Sequence, residues 1–176
     1  MTPSPNLKRA AAAAYRMREK YDTGLLAFDP FLPISVERDL RVCKYTTFCE
    51  KHRIDYAEFM RMVSSDGFTL RRGRRYIILY NDAPHISAAR KRFTLAHELG
   101  HYALRHTQDG VAEEEEANCF ARNLLAPRRL ALERGIEYAD YPRVFDISPS
   151  AARMCIKFAA LDESSALGFR KSIGKE

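Results

Sequence analysis

The chain has 176 residues, 46% of them hydrophobic and 30% charged, with a formal net charge of +6. Such a length buries a core without disulfide or metal staples, and the balance excludes disordered and fibrous classes. No run of about 18 apolar residues occurs, so no membrane span is expected.

The alanine run at residues 10–14 is short and flanked by Lys8, Arg9, Arg16 and Arg18. It is too weak an apolar block for a secretory signal, and a cytoplasmic location is expected. None of Cys43, Cys49, Cys119 and Cys155 stands in a C-x-x-C pair, so free thiols are expected rather than a second, structural metal site.

In chain order, residues 8–21 are rich in good helix formers, and Asn6 is placed to cap them. Pro30 and Pro33 mark a connector, with a short helical segment starting at Ser35. Residues 42–45 suit a short strand, and Thr46 or Thr47 is placed to cap the next helix. Asp55 suits the cap of another, whose Tyr56, Phe59, Met60 and Val63 recur at helical spacing. Asp66-Gly67 is a turn signal. Residues 68–70 and 76–80 then flank a basic turn with Gly73 and read as a hairpin, Tyr76-Ile77-Ile78-Leu79-Tyr80 being the best strand. A long helix is expected over residues 88–105 and a second over 111–125, stopped by Pro127. A third begins at Ser148 with Pro149 in its first position. Helices dominate, with one small antiparallel sheet before the long helix. Residues 1–32 read as an N-terminal helical extension and 33–176 as the main domain.

Two basic clusters stand out: Arg71, Arg72, Arg74 and Arg75, then Arg90, Lys91 and Arg92. They permit contact with nucleic acid or an acidic protein, or form a solvated face. No aromatic-basic interleaving of an RNA-binding kind accompanies them.

The chemistry concentrates at His97-Glu98-Leu99-Gly100-His101. On a helix, residues four apart share a face one turn apart, so both imidazoles reach one ion. Glu98 sits about 100° around the helix, placed beside a metal-bound water rather than as a ligand. That is the logic of H-E-x-x-H: two ligands and a general base. Gly100 lets another element approach this turn closely. In zinc peptidases an edge strand beside the site holds extended substrate by main-chain pairing, and residues 76–80 are the strand available.

A catalytic ion needs a third protein ligand. Downstream, Ala117, Phe120, Ala121, Leu124 and Leu125 define the buried stripe of the next helix. Within the run Glu113-Glu114-Glu115-Glu116, Glu114 and Glu113 fall on or beside that stripe, Glu115 points away and Glu116 lies to one side. Asn118, one turn after Glu114, can hold a ligand histidine through its ring nitrogen. Glu114 is the expected third ligand, with Glu113 second.

The segment Arg92-Phe93-Thr94-Leu95-Ala96-His97-Glu98-Leu99-Gly100-His101-Tyr102, with the E-x-x-A-N-x-F-A-x-x-L-L-x-P pattern from Glu114 to Pro127, resembles the ImmA/IrrE family of metallo-endopeptidases. The resemblance spans roughly residues 33–158, and no clear helix-turn-helix DNA-binding module precedes it. It implies a mostly helical, zincin-like α+β domain, with His97, His101 and Glu114 as ligands and Glu98 as general base. It also implies one zinc ion per chain, and manganese or iron suit the same ligands. Family members typically cleave a helix-turn-helix repressor or an antitoxin-like partner encoded nearby, so a regulatory peptidase is expected. Tyr76, Tyr102 and His106 are candidate donors to the oxyanion, unranked.

Two other readings compete. One is a non-catalytic, metal-containing regulator that binds a repressor or DNA, against which the intact Glu98 speaks. The other is a charge-driven DNA-binding protein or toxin partner, whose affinity would fall steeply with salt.

Overall fold

Asn6 opens the first helix, its side chain accepting from the Arg9 amide. The computed structural model describes residues 5–108 and 110–158. The chain there runs α1 (Leu7–Lys20), α2 (Phe31–Val36), β1 (Leu40–Lys44), α3 (Tyr45–His52), α4 (Tyr56–Met62), β2 (Gly67–Arg72) and β3 (Arg75–Tyr80). It continues through α5 (Ala88–Leu104), α6 (Val111–Leu125), α7 (Arg128–Glu133), a 3-10 turn (Tyr138–Asp140), α8 (Tyr141–Phe145) and α9 (Pro149–Lys157). This is the mostly helical, zincin-like α+β domain expected from the sequence.

The sheet has the order β1-β3-β2. β2 and β3 form the expected antiparallel hairpin. β1 adds a third strand, parallel to β3, with Leu40 opposite Tyr76 and Lys44 opposite Tyr80, so the sheet is mixed. β3 is therefore the central strand and not an edge. Its Tyr76, Ile78, Leu79 and Tyr80 are all buried, a load that only a covered strand carries. Among the described residues, the free edge beside α5 belongs to β2, whose residues grow more exposed toward Arg72.

α6 packs between α5 and α1. The core joins Leu40 and Ile78 of the sheet to Leu95, Leu99, Phe120 and Leu124 of the two long helices. α1 presents Ala10, Ala11, Ala13 and Ala14 to this core, small side chains that allow close approach. Two of its arginines complete the other helices: Arg9 donates to the Leu104 carbonyl at the end of α5, and Arg18 to Leu124 near the end of α6. Terminal carbonyls lack partners inside their own helix, and cations there also suit the dipole. On the other face of the sheet, Tyr45, Cys49, Phe59 and Leu79 form a smaller cluster.

Two local expectations change. The Pro30–Pro33 connector contains α2, with Pro33 in its first turn, where the missing amide has no carbonyl to lose. Neither threonine caps α3. Thr46 lies inside it, and its amide and hydroxyl donate to Asp82 at 3.1 and 2.7 Å, so a distant carboxylate closes that helix start. The short elements between α6 and α9 carried no clear signal in the sequence. No disulfide joins any of Cys43, Cys49, Cys119 and Cys155. Among the described residues no helix is long and apolar enough to cross a membrane.

Two glycines set the spacing around α5. A Cβ on Gly67 would meet Thr94 Cγ2 at 2.5 Å and the Leu79 carbonyl at 2.9 Å, so β2 starts in direct contact with the helix. The adjacent Asp66 takes two 2.6 Å bonds from the Arg90 guanidinium, fixing the same junction. A Cβ on Gly100 would meet Ala117 Cα at 3.0 Å. The close approach foreseen at Gly100 is made by α6.

Candidate metal centre

α5 carries His97, Glu98 and His101, and α6 carries Glu114. Ser87 caps α5 by accepting from the Arg90 amide, and Arg105 closes it in a left-handed conformation. One turn apart, the histidines bring their Nε2 atoms to 3.1 Å. The contact of Gly100 with Ala117 places Glu114, one turn before Ala117, against them. Its Oε2 lies 3.3 Å from His97 Nε2 and its Oε1 3.4 Å from His101 Nε2. The three residues offer ligand atoms within 4.8 Å of one another.

This donor set fits a divalent ion. Ligand atoms at two corners of a tetrahedral zinc site stand about 3.3 Å apart, and the closest approaches of the three side chains, 3.1, 3.3 and 3.4 Å, lie near that edge, those to Glu114 through different oxygens. Both imidazoles turn Nε2 inward because Nδ1 is held from behind. His97 Nδ1 lies 3.1 Å from Asn118 Oδ1, the role foreseen for Asn118. His101 Nδ1 lies 3.0 Å from His106 Nδ1.

The electrostatics suit the cluster. Burial works against a protonated His97, but the hydrogen bond with Glu114 and the charge of Glu98 outweigh it, and its pKa is raised. The hydrogen bond to His97 in turn holds Glu114 below the ordinary carboxylate range.

The other glutamates divide differently from the helical wheel. Glu113 accepts from Gln108 Nε2 at 3.0 Å and Glu115 is exposed. Glu116 is buried, at 7% exposure. The wheel assumed one buried stripe, whereas α6 is covered on two sides, by α5 and by α1. The second side includes Ala112, Glu116, Cys119 and Asn123.

Glu98 is 6% exposed, and its Oε2 accepts a 2.7 Å bond from Thr69 Oγ1. Thr69 belongs to β2, so the strand beside the site is β2 rather than residues 76–80. Thr69 escaped the sequence reading because nothing local to residue 69 shows which helix its strand will face. Glu98, His97, Glu114 and Thr69 line a cleft of about 670 Å³ whose rim includes Arg71. A larger, more apolar groove of about 770 Å³ adjoins it, sharing Asp66, Phe93, Thr94 and Asn118.

The candidate oxyanion donors separate. Tyr102 gives its hydroxyl to Asp39 at 2.8 Å and does not line the cleft. His106 lines it, but His101 and Glu116 take both its ring nitrogens. Tyr76 lines it, with Arg71 and Arg105 over its ring.

The basic clusters also differ. Arg90, Lys91 and Arg92 are engaged internally, by Asp66, the Asp82 carbonyl, and Phe28 with Asp146. The four hairpin arginines are exposed and make no ion pair with any described carboxylate.

Among known proteins, a family model described as the IrrE N-terminal-like domain, a peptidase family, matches residues 49–157. No curated protein matches the chain.

Proposed function

The chain belongs to the IrrE N-terminal-like peptidase family, and from that premise we propose that it is a metal-dependent endopeptidase acting in the cytoplasm on a helix-turn-helix repressor or antitoxin-like partner. One observation carries the catalytic reading. Glu98, a carboxylate that a purely structural site does not need, stands next to the three converging ligands and is held by a strand that borders an open cleft.

His97, His101 and Glu114 would hold the ion, with zinc preferred for this mixed nitrogen and oxygen set. When bound, the ion supplies Lewis-acid polarisation of a scissile carbonyl and lowers the pKa of a water. Glu98 takes the proton of the attacking water and delivers it to the leaving amine. Thr69 fixes one carboxylate oxygen of Glu98, which lines the cleft. The unpaired edge of β2 gives an extended segment a row of main-chain partners, and the adjoining apolar groove has room for a large side chain. The exposed hairpin arginines suit an acidic stretch on the partner.

The test pairs the purified, zinc-loaded chain with the repressor encoded beside its gene and follows fragments by mass spectrometry. Glu98→Gln is expected to slow cleavage by about 100-fold or more. Cleavage at the wild-type rate by this variant would remove the assignment. A full biological response without cleavage would favour the binding regulator.

A further inference from the structure

Behind the metal position lies a buried polar chain. The left-handed turn at Arg105, with φ of 58°, folds the backbone back so that the His106 amide meets the His101 carbonyl at 3.1 Å. This brings His106 Nδ1 to 3.0 Å from His101 Nδ1. The other nitrogen, Nε2, lies 3.2 Å from Glu116 Oε2. Glu116 Oε1 accepts the backbone amide of Asn6 at 2.8 Å, and Arg9 Nη1 stands 4.0 Å from Oε2. The His106 and Glu116 side chains are only 6% and 10% exposed.

With both imidazoles neutral, hydrogen-bond polarity gives this chain one consistent arrangement. A carboxylate only accepts, so Oε2 of Glu116 requires a proton on His106 Nε2. A neutral imidazole protonated there offers a lone pair at Nδ1. The 3.0 Å contact then requires the proton of His101 on its Nδ1. The nitrogen left with a lone pair is His101 Nε2, the one facing His97 and Glu114.

We infer that Glu116 and His106 are positioning residues that fix the tautomer of His101 for metal binding, and that α1 seats Glu116 through the Asn6 amide. The inference rests on the reading of His101 as a ligand. It makes α1, which lies outside the matched residues 49–157, part of the metal site.

The test is Glu116→Gln in the full chain. The new side chain keeps an acceptor for Asn6 but turns an amide donor toward His106. His106 must then present a lone pair at Nε2 and a proton at Nδ1, which drives the His101 proton onto Nε2. Zinc affinity, measured by competition with a chromophoric chelator, is expected to fall about 10- to 100-fold. Nitrogen-15 histidine spectra of the metal-free protein are expected to show the His101 proton moved from Nδ1 to Nε2. A merely structural role predicts neither change. Affinity within about twofold of wild type, with the His101 tautomer unchanged, would overturn the inference.

His106 variants give a second route should Glu116→Gln not fold. His106→Gln keeps the polarity, with an oxygen for His101 and an amide for Glu116, and is expected to stay within about threefold of wild type. His106→Leu is expected to lose at least about tenfold, and equal affinities for the two would overturn the relay. His101→Ala is the control: if it retains wild-type affinity, the ligand assignment fails and the relay with it. If it loses zinc while Glu116→Gln does not, the relay alone fails.

Discussion

Thr69 Oγ1, on the free edge strand, donates a 2.7 Å hydrogen bond to Oε2 of Glu98 in the long helix. The bond ties the strand that would align a substrate to the carboxylate that would move its proton. Gly67 and the Asp66–Arg90 pair hold the same strand against the same helix one residue pair earlier. Strand register and base orientation are thus set by one junction.

Thr69→Val keeps the strand shape and removes the donor. A hydrogen bond to a charged group contributes about 1.5–3 kcal/mol, so kcat is expected to fall about 10- to 100-fold. Zinc affinity should hold, because no ligand is touched. Steady-state kinetics on the cleaved partner, beside a zinc titration, check both. A loss confined to KM would show that Thr69 serves binding and not the carboxylate.

Gly100→Val places side-chain carbons where Ala117 Cα already stands 3.0 Å from an added Cβ. Overpacking of this kind costs about 1–3 kcal/mol. The helices can relieve it only by separating, which moves Glu114 from the histidines. Thermal melting and zinc titration should therefore fall together. An unchanged zinc affinity in a destabilised variant would show that Glu114 is not placed by this contact.

The pH dependence follows from His97 and Glu114. Without an ion, His97 is raised above 6.5, so its stabilising contribution is full below 6.5 and is lost as pH rises through the raised value. Glu114 is held below 4.5, so its contribution is present above 4.5 and is lost as pH falls through the depressed value. An ion takes His97 only after its proton leaves. Apparent zinc affinity is therefore expected to climb with pH through the raised His97 value and then flatten. Chelator-competition titrations from about pH 6 to 8.5 read this directly, and a flat profile would contradict it.

Features with local causes were legible in the sequence. Asn6 and Asp55 cap helices as read, Ser148 and Pro149 open α9, and the hairpin turns at Gly73. The convergence of His97, His101 and Glu114 was legible because helical geometry relates residues three and four apart, and one small residue announced the close helix contact. Features that depend on distant partners were not. β1 joins β3 in parallel, and no turn sequence signals such a pairing. Asp82 closes α3 from beyond β3. Glu116 looked peripheral on a wheel drawn for one buried face, because the second face exists only once α1 has docked.

Metal content per chain tests the proposed site most directly. Protein purified without chelator and analysed by mass spectrometry of its metals should carry about one zinc per chain. His97→Ala and Glu114→Ala should carry almost none. Equal metal content in the wild type and both variants would contradict a site built on His97, His101 and Glu114.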